Sequence, residues 1–298
     1  MSLFERLAAE AVKAQSELHP LAMVVEKELL HHDILREMSG AGLLERLTFM
    51  GGTCLRMCYG SNRLSEDLDF TGGSGFTRDC LSDLPDLLTK KLRVKYGLSV
   101  VVSEPKRETG NVDTWKMKMV TRPEQKGMSS QRINIDVCAV SSYDRRPMML
   151  HNHYGVEMGT SGLLLQAESR EEILSDKFIA LALRLGRIKN RDLWDIVWLK
   201  QQGVVLPMEL LIRKIADYRH NSPSFLSLLA TRRKSLQEDN EVRVSFVQEM
   251  RRFLPTKMVV EIIENSSFWV YLTDTVAAEC DHLSDALTGK RTPPVFKM

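Results

Sequence analysis

Apolar residues recur at helical spacing through the first 47 positions, where Leu21, Val24, Val25, Leu29 and Leu30 form one stripe. From 48 to about 140 the period shortens to two. Leu47-Thr48-Phe49-Met50 reads as a short buried strand. Trp115, Met117 and Met119 alternate with Lys116 and Lys118, and Ile133, Ile135, Val137 and Ala139 alternate with Asn134, Asp136, Cys138 and Val140. The spacing predicts a hairpin of these last two strands with its loop at 123–130, a helix near 79–96 and a further strand over 98–103. After a glycine-flanked connection at 155–162, the pattern from 166 on is helical, in segments at 206–218, 224–229, 243–254, 257–265 and 268–287. Pro207, Pro223 and Pro255 suit helix starts or breaks, and 291–298 is a short polar tail. No internal repeat is apparent. The predicted architecture is α+β: a small mixed sheet with flanking helices over 1–160, then a helical domain over 161–298.

Composition narrows the classes. A chain of 298 residues suffices for one large or two medium domains, and 43% hydrophobic with 27% charged residues is ordinary for a globular protein. A net charge of +2 means that nucleic-acid binding needs a local basic patch. The candidates are 184–191, Arg213-Lys214, Arg232-Arg233-Lys234 and Arg251-Arg252, each of which also suits a solvated helix face. Five cysteines without paired spacing argue against a disulfide framework. His31-His32 and His151-Asn152-His153 lack partners at zinc-like spacing. No apolar run reaches membrane-spanning length, and 1–13, with Glu5 and Glu10, lacks the apolar core of a secretory signal. The expected compartment is a reducing cytoplasm, with no membrane partner.

The chemistry concentrates between 50 and 70. Gly51 and Gly52 follow a strand and open a helix, so the backbone turns without a Cβ and can approach a ligand closely. Thr53 is positioned to cap that helix, whose N-terminal N–H groups suit a phosphate. Asp67 and Asp69, two apart on a strand over 66–70, share a face roughly 6.5 Å apart. Side-by-side carboxylates repel and call for a cation, and oxygen ligands favour a hard ion such as Mg²⁺. Glycine turns and solvated strand-end aspartates also occur separately for structural reasons; their adjacency favours the functional reading. Asp136 lies mid-strand on a polar face. An aspartate there either pairs with an arginine or ligates a metal, and with Asp67 and Asp69 in view the ligand reading leads.

Further on, Lys177, Leu181 and Arg184 fall on one face of a helix over 173–185, and Asp192 and Asp195 form an i, i+3 pair on the next. Read alone, these residues make a charged helix face with Arg–Asp bridges. Taken together with the string Gly51-Gly52-Thr53-x-Leu55-Arg56, Gly60, Arg63, Ser65 and Asp67-Leu68-Asp69-Phe70, they resemble a known family. Glu168, Glu172, Lys177, Ala180-Leu181 and Arg184, then Arg191-Asp192-Leu193-Trp194-Asp195, are similar to its lysine and Asp-x-x-Asp motifs. The family is the AbiEii/AbiGii toxins of the nucleotidyltransferase superfamily, which includes the mycobacterial MenT toxins.

The resemblance implies a nucleotidyltransferase core and Mg²⁺-dependent transfer of a nucleoside monophosphate from an NTP, with loss of pyrophosphate. Asp67, Asp69 and Asp136 are then the metal ligands, with two ions expected. Gly51, Gly52, Thr53, Arg56, Arg63 and Ser65 bind the nucleotide, and Asp67, Asp69, Lys177 and Asp192 are catalytic. Asp195 and Arg191 are left with structural roles. The family pairs its toxins with a separately encoded DNA-binding antitoxin, and some relatives modify tRNA 3′ ends. Two alternatives stay open: transfer to a small molecule or protein hydroxyl, and a non-catalytic nucleotide- or RNA-binding module of the same fold.

Overall fold

A computed structural model describes residues 1–106, 110–124 and 130–289. The predicted hairpin loop at 123–130 falls largely outside them and the tail at 291–298 wholly so. The chain divides into two compact units. The first is Met1–Ser169 with a returning segment Arg252–Lys257; the second is Arg170–Arg251 with the chain from Met258 on.

In the first unit, α1 (Leu3–Ala14) starts at a capping box, with the Glu5 N–H donating to Ser2 Oγ at 3.2 Å and the Ser2 N–H to the Glu5 carboxylate at 2.6 Å. α2 (Ala22–Gly40) is buried on nearly every side. Its apolar stripe is joined by Glu26, Glu28, His31, His32 and Asp33, none more than 2% exposed. Buried charge is tolerated only when matched. Glu26 meets Arg122 and accepts from Gln131 Nε2 at 2.7 Å, while Asp33 is held by Lys95 at 2.5 Å, Arg36 at 2.8 Å and the Tyr96 hydroxyl.

The sheet follows: β1 (Thr48–Met50), α3 (Gly51–Tyr59), β2 (Leu68–Thr71), α4 (Leu84–Tyr96), β3 (Val100–Ser103), β4 (Val112–Met119), β5 (Gln131–Cys138), β6 (Arg145–Met149) and β7 (Leu164–Glu168). Among the described residues, seven strands lie in the order β3-β4-β5-β2-β1-β7-β6. β2 is central, antiparallel to β1 and parallel to β5, and β1 runs parallel to β7. On β4 and β5 the residues Trp115, Met117, Met119, Ile133, Ile135 and Val137 are buried. The alternate positions give the sheet its polar face.

The pair β6 and β7 has no counterpart among the predicted strands. β6 carries Arg145-Arg146-Pro147 with exposed side chains, so it shows no apolar alternation; its proline is tolerated because the strand is at the sheet edge. β7 extends the sheet to Glu168, inside the stretch read as helical.

The second unit contains α5 (Arg170–Leu183), α6 (Asn190–Gln201), α7 (Met208–Asp217), α8 (Ser222–Glu238) and α9 (Asn240–Met250). Next come α10 (Thr256–Met258), which begins in the returning segment, a π-helical turn (Val259–Ile263) and α11 (Ser266–Thr288). α8 continues well past the predicted 224–229, because Arg232-Arg233-Lys234 and its neighbours extend the helix while burying little besides Leu236. Leu193, Ile196, Leu211, Phe225, Phe246, Leu272 and Val276 are fully buried in this unit. Lys214, 2% exposed, lies between Glu172 at 2.9 Å and Asp176 at 2.7 Å. No helix among the described residues is long and apolar enough to cross a membrane.

Burial, and then the neighbouring His31, His153, Arg36 and Lys95, push the His32 pKa down from 6.5 to about 3. The native ring stays neutral where the unfolded one takes a proton, so the unfolded state binds more protons between those two values. Stability should therefore fall as pH drops through this window, by about 1.4 kcal/mol per pH unit for this group. Urea midpoints from pH 7 to pH 4 measure the slope. His32→Gln, which keeps a donor for Thr160, should reduce it by about one proton's share.

Candidate active site

The glycine turn is built by two different constraints. Met50 ends β1 in extended conformation and is the N-cap of α3, so Thr53 lies inside the helix rather than capping it as predicted. Gly51 has φ +75°, a left-handed conformation that L side chains avoid. A Cβ on Gly51 would also lie 2.7 Å from Asp69 Oδ2 and 3.1 Å from Asp69 Cβ, too close for a side-chain rotation to relieve. On Gly52 a Cβ would come within 3.0 Å of Arg63 Cζ. The glycine pair thus lets one carboxylate and one guanidinium pack directly on the start of α3. The first N–H groups of a helix lack partners within it, and their dipole favours a nearby anion such as Asp69.

The acids converge through register. Asp69 lies opposite Met50 on one side and opposite Asp136 on the other. Adjacent strands are about 4.8 Å apart, so these two carboxylates are lateral neighbours. β2 starts at Leu68, two residues later than predicted, and Asp67 precedes it. The Asp67 carboxylate still reaches β5, where Oδ1 accepts the Asn134 N–H at 3.1 Å, and its carbonyl accepts the Thr53 hydroxyl. Among the described residues, no group of three or more His, Cys, Asp or Glu side chains is close-set enough to hold a metal ion.

Behind this row sits a buried polar clamp. Glu28 Oε1 accepts the Ser65 N–H at 2.8 Å, and Oε2 accepts from Arg56 Nε at 3.2 Å and from the Tyr154 hydroxyl. Burial opposes the Arg56 charge, but Glu28 outweighs it and holds the guanidinium pKa above its usual value. Burial and then Glu28 push the Tyr154 phenol up, keeping it a donor. Arg56 Nη1 also donates to the Ser61 carbonyl at 3.0 Å, and the Thr53 and Ser65 hydroxyls meet at 2.7 Å. Arg63, 2% exposed, packs on Gly52 and donates to the Leu64 carbonyl at 3.1 Å. Of the six predicted nucleotide-binding residues, Thr53, Arg56, Arg63 and Ser65 are therefore placed as buried braces of the 61–67 loop. Gly51 and Gly52 remain at the helix mouth.

The loop is fastened at its outer side as well. Glu66 pairs with Lys27 at 2.8 Å and Arg252 at 3.5 Å, and its carbonyl is 3.1 Å from His31 Nε2. The Leu64 N–H donates to the Phe253 carbonyl at 2.9 Å, so the returning segment is bonded to the loop.

In the second unit, Lys177 on α5 is 8% exposed and bridges Asp192 at 2.7 Å and Asp195 at 2.8 Å on α6. Burial would raise the Asp192 pKa, but Lys177 and Lys189 outweigh it and hold the carboxyl below its usual range. Arg184 stands 3.5 Å from the same carboxylate. Lys177 and Asp192, both expected to be catalytic, are thus ion-paired, and Asp195, expected to be structural, shares the same lysine.

A family model described as the nucleotidyl transferase AbiEii toxin of type IV toxin–antitoxin systems matches residues 33–273. The chain belongs to the AbiEii nucleotidyltransferase toxin family. AbiEii membership brings with it nucleotidyl transfer, a nucleotide substrate and an antitoxin counterpart. Among solved structures, MenT4, a nucleotidyltransferase toxin from Mycobacterium tuberculosis, superposes with a TM-score of 0.53 at 15% identity, over 97% of this chain and 99% of MenT4. The two share the fold. JHP933 from Helicobacter pylori gives 0.47 at 17% identity, over 88% of this chain and 97% of its own. A search of curated proteins gave no match.

Sequence reasoning did not single out Glu28, Glu66, Asn134 or Tyr154 in this AbiEii protein. Glu28 had a signal: a carboxylate embedded in the stripe of Val24, Val25 and Leu29 must be matched by a buried donor. Asn134 acts through its backbone, which side-chain identity does not encode.

Two substitutions test these placements. Gly51→Ala should destabilise the protein by about 1–3 kcal/mol through left-handed strain and contact with Asp69, read as a lowered urea midpoint. Lys177→Met leaves two buried carboxylates facing each other and should cost about 3–5 kcal/mol. Thermal unfolding of that variant measures the loss.

Proposed function

We propose that this AbiEii-family enzyme transfers a nucleoside monophosphate from an NTP to an acceptor hydroxyl, with Mg²⁺ as cofactor and a tRNA 3′ end as acceptor, in the cytoplasm. The observation that carries the reading is the lateral pairing of Asp69 with Asp136 directly beside the Gly51–Gly52 helix mouth. The candidate ligands are all carboxylates, the donor chemistry of a hard cation, and Asp69 and Asp136 are already lateral neighbours. Asp67, Asp69 and Asp136 would hold Mg²⁺. When bound, the metal supplies charge neutralisation on the triphosphate and a lowered pKa for the attacking hydroxyl.

The protein's own groups do the rest. The N–H groups of Gly51 and Gly52 receive phosphate oxygens at the helix N-terminus. Asp136 lies on the far side of Asp69 from that turn, where it faces the acceptor and takes the hydroxyl proton. The acceptor oxygen bonds to the α-phosphorus as the bond to the bridging oxygen breaks and pyrophosphate leaves. Thr53, Ser65, Arg56 and Arg63 act by position, holding the 61–67 loop so that Asp67 keeps its place. Lys177 is matched by two carboxylates, so we assign it and Asp192 to bracing α5 against α6 rather than to free charge at the reaction centre. The tRNA end is carried over from the family resemblance; a single-stranded 3′ end can be splayed into a site.

The test is incubation of the full chain with Mg²⁺, each labelled NTP and total tRNA, with Asp69→Asn alongside. Label should appear on tRNA 3′ ends and drop at least about 100-fold in the variant, whose melting temperature should not fall. Label on a small molecule or on protein would replace the acceptor and keep the chemistry. Nucleotide binding without transfer to any acceptor would overturn the reading.

A further inference from the structure

The polar face of β4 and β5 continues past the acids into a basic strip. Thr114 lies opposite Asp136, Lys116 opposite Asn134, and Lys118 opposite Arg132. All three cations are exposed. Like charges directly opposed across a strand pair are unfavourable, yet Lys118 faces Arg132 with Lys116 two residues away on the same side of β4. Among the described residues, no carboxylate is ion-paired with any of the three. On the other side of β4, Lys116 and Thr114 line a pocket of about 300 Å³ with Ser103, Glu104 and Lys106. With a net charge of +2, this concentration is local.

Strand order gives the strip its place. Across the sheet run β1 with the glycine turn, β2 with Asp69, β5 with Asp136 and β4 with Lys116 and Lys118. A triphosphate on the helix mouth occupies the β1 side, so a second substrate enters from β4. Lys116 is roughly 8 Å from Asp136 along and across the strands, within reach of a phosphate attached to a nucleotide whose hydroxyl sits at Asp136.

We propose that Lys116, Lys118 and Arg132 form a phosphate track for the single-stranded 3′ end of an RNA acceptor, delivering its terminal hydroxyl to Asp136. The proposal rests on the transferase reading above and names the substrate surface which that reading leaves open. Counterion release makes such a track salt-sensitive.

The experiment uses the full chain and a labelled single-stranded RNA 12-mer. Binding is followed by anisotropy across a salt series, for the wild type and for the triple variant K116Q/K118Q/R132Q. The three side chains are exposed, and unchanged thermal unfolding will confirm that the variant folds. We expect at least a 10-fold loss of RNA affinity at 0.15 M salt and a salt slope shallower by about 2, with NTP binding unchanged. RNA affinity equal to wild type overturns the track, and so does a loss confined to NTP binding, which would assign the strip to the triphosphate. The two readings fail separately. Salt-dependent RNA binding lost in the triple variant, in a protein that transfers no nucleotide, would leave the track standing and sink the transferase. Transfer to a small molecule by a protein that does not bind the 12-mer would do the reverse.

Discussion

Two aspartates face each other across parallel strands at the middle of the sheet, and the repulsion between Asp69 and Asp136 is the constraint around which the first unit is organised. Left alone, such a pair would rotate apart or share a proton. The surrounding structure opposes this from several directions. β1 pins Asp69 through Met50, the start of α3 lies directly against its carboxylate, and the Asn134 N–H holds Asp67 against β5. Each of these is a backbone device. Backbone groups do not rotate away, so the chain positions that carry the acids are fixed.

The second layer of support is ionic and buried. Glu28 joins α2, the 61–67 loop, Arg56 and Tyr154 through one carboxylate. A buried pair of this kind adds little net stability compared with an apolar packing, because desolvating both partners is costly. Its value is uniqueness: one geometry satisfies every donor, and a shifted loop would strand a charge in the core. The helical unit repeats the principle with Lys177 between Asp192 and Asp195, and Lys214 between Glu172 and Asp176.

Much of this was legible in the sequence, and unevenly so. The period-two runs located β4 and β5, and the glycine pair and Asp-x-Asp string located the candidate site, because each leaves a direct trace in residue type. The family match over 33–273 and the MenT4 fold agree with the predicted nucleotidyltransferase core. β6 and β7 were not legible, since an edge strand with exposed arginines and a proline lacks alternation. The placement of Arg56, Arg63 and Ser65 was not legible either. A motif records which residues recur together, and cannot distinguish a residue that touches the ligand from one that holds its neighbour. The burial of Arg56 and Ser65 depends on α2, distant in sequence, through Glu28.

The hydrogen bond from Leu64 to Phe253 has a consequence for how the protein is made. A chain synthesised from its N-terminus completes every strand of the sheet once Glu168 has emerged, but the brace on the loop that carries Asp67 arrives only with Arg252–Lys257. The whole helical segment between must be translated first. An elongating nascent chain therefore carries Asp67 on an unfinished loop until Arg252–Lys257 have followed it.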